Sequence, residues 1–545
     1  MHIFRNYFLS CILFLGLLSD SVLAQKPSVT SPVDPPKNWY QLDLKTDGYY
    51  GVSLNQAYQF LSGKKSKTVI VAVIDGGIDT AQNDLKSVLW TNPKEIKGNG
   101  KDDDHNGYVD DIHGWNFLGG ANGKGDFNET AEEVREYYKL NKKYANVTAE
   151  TAGNKKEYAY WLEVKTQYDS TINRASNDEA RLSPIVNALV ETSGIIKKEL
   201  NLSSGQSFTK ADVENLKTNN STLEQVKKLW LIAFYDEVST STNVKVINDL
   251  NEYMGRVNNE ISPDLEARKR IVGDDPDVLK DKPYGNNLLK DINASHGTDV
   301  AGIIGAVRNN GYGIDGVADN VKLMAIKASP IGDEYDKDVT NAIRYAVDNG
   351  AKVINMSFGK KISPHKEWVD DAFKYAARHD VLLVLASGND NEDMDVKPDY
   401  PNDIFENGSA SDANNVINVG ASGLKMDDSL AAPFSNYGKK NVDVFAPGVK
   451  ITSVDLDAEF ITNGGTSFSA PIVSGIAALI LEYYPDLTSA QVKKAIMESA
   501  TPLNGTMVFK PGTESRVDFT TLSKSGGIVN AYKALEIAAK MKGER

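Results

Sequence analysis

Three polar residues stand where an α/β protein can place reactive side chains. Asp75 ends the apolar run "VIVAVID", His296 lies in "INASHGTDVAG", and Ser467 follows two glycines in "TNGGTSFSAPIVSG". Serine is a weak nucleophile, so it needs a base to take its proton, and the base needs an acid to orient it. Taken singly, the three residues can equally be a turn aspartate, a packed histidine and a helix-capping serine. The residue types alone leave both interpretations open.

The surroundings of Ser467 also suit nucleophilic chemistry. The glycines at 464 and 465 let a substrate approach the backbone closely, and a long apolar helix is predicted to follow them. The first N–H groups of a helix have no partner within it, so they can stabilise a developing oxyanion.

Four segments resemble the signature segments of the subtilisin-like serine proteases, the subtilase or S8 peptidase family. They are "VIVAVIDGGID", "SHGTDVAGIIG", "ASGND" and "GGTSFSAPIVSG", and they occur in that family's order of aspartate, histidine and serine. The resemblance covers roughly residues 38–118 and 284–540.

The resemblance implies a role for each of these residues. Ser467 would be the nucleophile, His296 the general base and then the general acid, and Asp75 the group that orients His296. Asn389 would donate its side-chain amide to the oxyanion, beside the backbone N–H of Ser467. Two segments would form the backbone walls of the pocket for the residue before the scissile bond: Ser357, Phe358, Gly359, Ala386, Ser387 and Gly388.

The chain departs from the family's pattern at two positions beside these residues. Gly76 stands where the family usually has a hydroxyl residue, and Asp299 stands where it usually has a second histidine. Three positions after His296 on a helix, Asp299 lies on nearly the same side. We expect Asp75 to take the Nδ1 side of His296 and Asp299 to be structural. No segment resembles the family's folding propeptide, which leaves the control of activity open.

The loop "KDDDHNGYVDD" has the spacing of a calcium-binding loop, with oxygen-bearing side chains at alternate positions and a glycine for the turn. His113 stands where a full EF-hand loop has its glutamate, so the match is partial. A solvated acidic loop, or a transition-metal site that uses His105 and His113, is the alternative. The predicted structural Ca²⁺ ligands are Asp102, Asp104, Asn106, the carbonyl of Tyr108, Asp110 and Asp111.

Buried β-branched runs alternate with helical patterns over most of the chain, which predicts a mostly parallel sheet. With the resemblance, this gives a three-layer α/β/α sandwich that carries a large helical insertion. The expected order is a signal peptide at 1–24, the first part of the catalytic domain at 25–119, the insertion at 120–285, and the rest of the catalytic domain at 286–545. The insertion contains no histidine, and its apolar spacing predicts a helix with one buried face formed by Leu223, Val226, Trp230 and Ala233.

Composition and the N-terminus bear on the compartment and the partners. The net charge of −14 argues against nucleic acid or an anionic membrane as the main partner. Arg5, a short apolar run and the small residues before Gln25 predict a signal peptide cleaved after Ala24. Its removal would take away Cys11, the one cysteine, and would leave no integral membrane segment. We expect export to a periplasm, cell surface or medium.

The leading interpretation is an exported serine endopeptidase that acts on protein or peptide substrates. One alternative is a catalytically inactive, protease-like binding protein, for which Gly76 and Asp299 would be early signs of decay. The other is a nucleotide-binding α/β protein, suggested by the glycines after "VIVAVID", although that segment lacks the GxGxxG pattern.

Overall fold

The computed structural model of the protein describes residues 34–123, 125, 128–234, 239–280, 283–405 and 413–545. The predicted signal peptide lies outside these residues. The described chain divides into two compact units. The smaller unit is Asp169–Ser262 with residues 34–36, and the larger is Lys37–Tyr168 with Pro263–Arg545. The larger unit therefore includes both ends of the predicted insertion.

The strands are β1 Val69–Asp75, β2 Gly114–Asn116, β3 Val321–Lys327, β4 Val353–Met356, β5 Leu382–Ala386, β6 Val416–Ser422, β7 Val444–Pro447, β8 Ile451–Val454, β9 Phe460–Asn463, β10 Met507–Phe509 and β11 Arg516–Asp518. The helices are α1 Leu44–Asp47, α2 Leu54–Leu61, α3 Glu132–Tyr144, α4 Lys155–Glu199, α5 Lys210–Asn215, α6 Ser221–Ala233, α7 Asn243–Ile261, α8 Ala267–Ile271, α9 Ala294–Gly305, α10 Asp336–Asp348, α11 Lys366–Arg378, α12 Thr466–Tyr483, α13 Ser489–Ser499 and α14 Ala531–Ala538.

Seven strands form one sheet in the order β2-β3-β1-β4-β5-β6-β7, and each neighbouring pair is parallel. Successive side chains of a strand point to opposite faces. Val71 and Val73 of β1 lie in an apolar cluster that includes residues of α9 and α12. Ala72 and Ile74 lie in a second cluster with residues of α10 and α11. Helices therefore cover both faces, which confirms the predicted α/β/α sandwich.

The carboxyl ends of parallel strands meet at one edge of a sheet, and this edge is where such folds bind ligands. Asp75 is the last residue of β1. The chain passes the same edge again at Ser357, directly after β4, and at Ser387, after β5. These segments are far apart in the sequence, and the sheet brings them together.

The smaller unit is helical and has its own apolar core. Phe208, Trp230 and Phe234 are fully buried there, and their rings make edge and tilted contacts with one another. Helix α6 buries the predicted face of Leu223, Val226, Trp230 and Ala233.

Helix α12 is the one described helix that is long and apolar enough to cross a membrane by length and composition, and 94% of its span is buried inside the protein.

Candidate active site

Asp75 and His296 are hydrogen-bonded to each other. Nδ1 of His296, near the start of α9, lies 2.8 Å from Oδ1 of Asp75. The aspartate side chain is 4% exposed, whereas the histidine side chain is 41% exposed. The same Oδ1 accepts the backbone N–H of Gly76 at 2.7 Å. A carboxylate at Nδ1 favours the tautomer with its proton there, which leaves Nε2 as the basic atom.

Asp299 is buried in α9 at 2% exposure. Its backbone carbonyl accepts a hydrogen bond from Oγ of Ser453 at 2.6 Å, which ties α9 to β8. The carboxylate bonded to Nδ1 of His296 is that of Asp75.

The side chains of Ser467 and Asn389 both lie beside Gly465. This glycine precedes α12 and has φ of 151°, a conformation that side chains disfavour. A Cβ built on it would lie 3.0 Å from Oγ of Ser467 and 3.5 Å from Nδ2 of Asn389. The ring of Phe468, the next residue of α12, lies 6.1 Å from the ring of His296. The start of α12 is therefore beside the Asp75–His296 pair.

Thr466 orients the amide of Asn389, and the sequence analysis missed this residue. The backbone N–H of Thr466 donates to Oδ1 of Asn389 at 2.8 Å, and its Oγ1 donates to the same atom at 3.1 Å. Oγ1 of Thr466 also accepts the N–H of Gly388 at 3.1 Å. Because two donors hold Oδ1, the atom that Asn389 can offer to a ligand as a donor is Nδ2. The only signal in the sequence was the adjacency of Thr466 to Ser467.

A buried polar chain supports the first predicted wall. Oγ of Ser357 donates to the carbonyl of Ser467 at 3.0 Å and accepts from Nδ2 of Asn355 at 2.9 Å. Oδ1 of Asn355 in turn accepts Oγ of Ser474 at 2.8 Å. The wall therefore starts directly beneath the nucleophile candidate. Phe358 is half-buried against the second apolar cluster, and Gly359 is exposed.

The second predicted wall is fixed from behind by Asn436. Nδ2 of Asn436 donates to the carbonyl of Ser387 at 2.9 Å and to Oδ2 of Asp399 at 3.0 Å. Gly388 has φ of 100°, and a Cβ on it would lie 2.4 Å from that same Nδ2. Ala386 is half-buried and packs against the first apolar cluster. No larger residue fits at Gly388.

Charged groups that the sequence analysis did not select lie behind this wall. Lys361 forms ion pairs with Asp390, Glu392 and Asp399 at 2.8, 2.9 and 2.6 Å. Burial raises the pKa of Asp399 to about 6, against the opposing effect of Lys361.

The acidic loop brings together part of the predicted ligand set. Carboxylate oxygens of Asp102, Asp104 and Glu95 lie within 4.8 Å of one another. Within the described residues, Oε2 of Glu95 is buried without a hydrogen-bond partner. Glu95, which precedes the predicted loop, was missed because only the fold places it there.

The other predicted ligands of the loop have different contacts. The carboxylate of Asp110 accepts the N–H groups of Gly98, Asn99 and Gly100. Asp111 is buried and bonded to side chains of Asn92, Asn106 and Tyr345, and burial raises its pKa to about 6. The ring of Tyr108 packs on three aromatic rings, and Nδ1 of His113 bonds to the carbonyl of Trp90.

Comparisons with known proteins show a family and several relatives to which the chain is similar. The sequence matches the model of the subtilase family over residues 66–518. It is 36% identical over 247 residues to the thermophilic serine proteinase of Bacillus sp. (strain AK1), covering 45% of this chain and 54% of that protein. It is 32% identical to the minor extracellular protease Epr of Bacillus subtilis (45% and 35% covered). It is also 32% identical to subtilisin Savinase of Lederbergia lenta (40% and 74% covered). The matched part is about half, or less, of the first two relatives.

Supplying the missing hydroxyl through Gly76→Ser is expected to lower stability rather than to improve the site. A Cβ at position 76 would lie 2.4 Å from the carbonyl oxygen of Asn293, just before α9, so the backbone would have to shift. We expect the free energy of unfolding, measured in urea, to fall by about 1–3 kcal/mol. Gly153→Ser is the control, because a Cβ there meets nothing within 4 Å. Equal stability of the two variants would contradict this explanation of Gly76.

Proposed function

This chain belongs to the subtilase family, and on that premise we propose that it is an exported serine endopeptidase. It hydrolyses peptide bonds through an acyl-enzyme intermediate. The observation that carries the proposal is the hydrogen bond between Nδ1 of His296 and Oδ1 of Asp75, beside the start of α12 where Ser467 lies.

The mechanism follows from the atoms at this edge. Oγ of Ser467 attacks the substrate carbonyl carbon as Nε2 of His296 takes its proton, and Asp75 stabilises the imidazolium that forms. The oxyanion accepts hydrogen bonds from Nδ2 of Asn389 and the N–H of Ser467. His296 then gives its proton to the leaving amine. A water molecule repeats these steps on the ester, releasing the acid and restoring Ser467.

The walls at Ser357–Gly359 and Ala386–Gly388 bind the residue before the scissile bond. Ser357 and Ser387 are buried, so they present backbone rather than mobile side chains. The hydrogen bonds of Ser357 to Ser467 and of Gly388 to Thr466 support this role, because they tie each wall to the segment that carries the nucleophile.

Export rests on the predicted signal peptide at residues 1–24. The name of the Bacillus subtilis relative, an extracellular protease, supports it. The signal peptide and the name of this relative both favour protein or peptide substrates outside the cytoplasm.

Glu95, Asp102 and Asp104 are proposed to hold a structural Ca²⁺. Hard carboxylate oxygens suit this ion, and the buried Oε2 of Glu95 would gain a partner. The ion would stabilise the acidic loop by neutralising carboxylates that otherwise repel one another. It takes no part in the chemical steps.

Labelling by a serine-reactive fluorophosphonate tests the nucleophile. The wild-type protein is expected to be labelled, because His296 activates Ser467, and Ser467→Ala is expected to lose the label. Ser469→Ala is the matched control, since the Ser469 hydroxyl is buried and bonded to carbonyls of β7. A folded wild-type protein that takes no label would favour the inactive binding protein.

Asn389→Ala tests the oxyanion site on a peptide p-nitroanilide. We expect kcat to fall by about 10²–10³-fold with little change in KM, because the amide acts in the transition state. Thr466→Ser keeps both hydrogen bonds to Oδ1, so its kcat should stay within a few-fold of the wild type. A nearly normal kcat in Asn389→Ala would rule out this role.

Calcium binding is tested by thermal unfolding in the Ser467→Ala background, which prevents autolysis. Calcium at about 100 times its Kd stabilises a one-site protein by about 2.7 kcal/mol. We expect a rise in Tm with calcium that the double variant Asp102→Asn, Asp104→Asn loses. Glu514→Gln, at an exposed position elsewhere, should keep the rise. An equal rise in Tm with calcium in the double variant would show that Asp102 and Asp104 do not bind the ion.

A further inference from the structure

The wall that starts at Ser357 is short. From Ser357, beneath Ser467, the chain passes Phe358 and Gly359 and reaches Lys360. Lys360 is paired with Tyr400 through two backbone hydrogen bonds of 2.8 and 2.9 Å. If the proposed function holds, the substrate residues before the scissile bond extend along this wall. At about 3.3 Å per residue, they reach Lys360 about three residues from the scissile bond.

At that point the wall meets a group of buried charges. The side chain of Lys360 is 1% exposed, and its Nζ lies 2.7 Å from Glu132 and 2.8 Å from Asp336. Nζ also donates to the carbonyl of Glu334 at 2.8 Å. Glu334 and Asp336 follow β3, whereas Lys360 follows β4, and β1 with Asp75 lies between these two strands. Lys360 thus bridges the two loops that flank the end of β1.

Helix α3, from the region predicted as an insertion, completes the bridge. Arg135 donates to the carbonyls of Asp333 and Glu334 at 3.0 and 3.3 Å and pairs with Glu132 at 2.8 Å. Its guanidinium lies 4.0 Å from the ring centre of Tyr335. The N–H of Glu132 also donates to Asp333. The first turn of α3 is therefore fixed to the loop after β3.

These groups stay charged and mutually compensated. Burial alone would raise the pKa of Glu132, but Arg135 and Lys360 outweigh it and hold the pKa at about 2. Burial alone would lower the pKa of Lys360, but Asp336 and Glu132 raise it above its usual value. Removing one member leaves an uncompensated buried charge, so such a network does not open easily.

We propose that Glu132, Arg135 and Lys360, here called the α3 network, close the substrate cleft on the side that precedes the scissile bond. The enzyme then binds about three substrate residues before that bond. Substrate residues further from the scissile bond than these three make no additional contact with the cleft. This inference rests on the proposed function, because it takes the wall at Ser357 as the substrate-binding wall.

Affinity for peptides of increasing length tests the closure without requiring catalysis. N-acetyl peptide amides of one to six residues would be titrated into Ser467→Ala and followed by calorimetry. We expect affinity to rise up to about the third residue and then to stay level. The Lys360→Gly variant removes the side chain at the end of the wall. Its affinity is expected to rise about fivefold or more when the peptide is lengthened from three residues to four. Lys360→Arg keeps a long side chain with a positive charge beside Glu132 and Asp336, and it should retain the level profile.

Each outcome decides the inference. An affinity of Ser467→Ala that rises tenfold beyond the third residue would overturn it, as would a level profile in Lys360→Gly or no binding of any peptide. Thermal unfolding checks that both Lys360 variants are folded to the same extent. The fluorophosphonate result is separate: an unlabelled wild type with a level binding profile would reject the protease and keep the closed cleft.

Discussion

In a sheet whose seven strands all run the same way, every strand ends at the same edge, and that constraint assembles the candidate site. Asp75 must end a strand that is buried on both faces, because only then is its carboxylate held in one place and shielded from water. The two apolar clusters on either side of β1 provide this burial. His296 reaches Asp75 because α9 packs on the face of the sheet to which Val71, Val73 and Asp75 point. The two side chains differ in solvent exposure: that of Asp75 is buried, whereas that of His296 is partly open to solvent.

The start of α12 is fixed by polar contacts from two directions. Ser357 holds the carbonyl of Ser467 from below, and Asn389 accepts the N–H of Thr466 from the side. A buried polar group is costly unless it is bonded, so each of these contacts also restricts its neighbour. The backbone on both sides of the Ser467 Cα is therefore fixed by these contacts.

The sequence predicted the fold class because strand and helix patterns are local, and the continuous β-branched run of β1 is typical of a strand buried on both faces. Asp75, His296, Ser467 and Asn389 lie in segments that a family resemblance identifies, and the structure brings them to one edge. Glu95, Thr466 and the α3 network were not predicted, because each depends on contacts that only the folded chain makes. Glu132 and Lys360, for example, are 228 positions apart. The expectation for the acidic loop came from spacing, and spacing could not reveal that Asp110 instead caps three backbone N–H groups.

The use of charges to close the cleft has a physical consequence. Well-packed apolar side chains would fill the same space with equal or greater stability, because burying ions is costly. An apolar contact, however, tolerates sliding, whereas the carbonyls of Asp333 and Glu334 and the carboxylates of Glu132 and Asp336 each require a donor at one position. Arg135 and Glu132 make their bonds to this loop and to Lys360 at the observed position of α3. The ionic contacts therefore exchange stability for a fixed position of α3, and that position sets the length of the cleft. Substrate choice would then be determined by a helix outside the segments that carry the reactive residues.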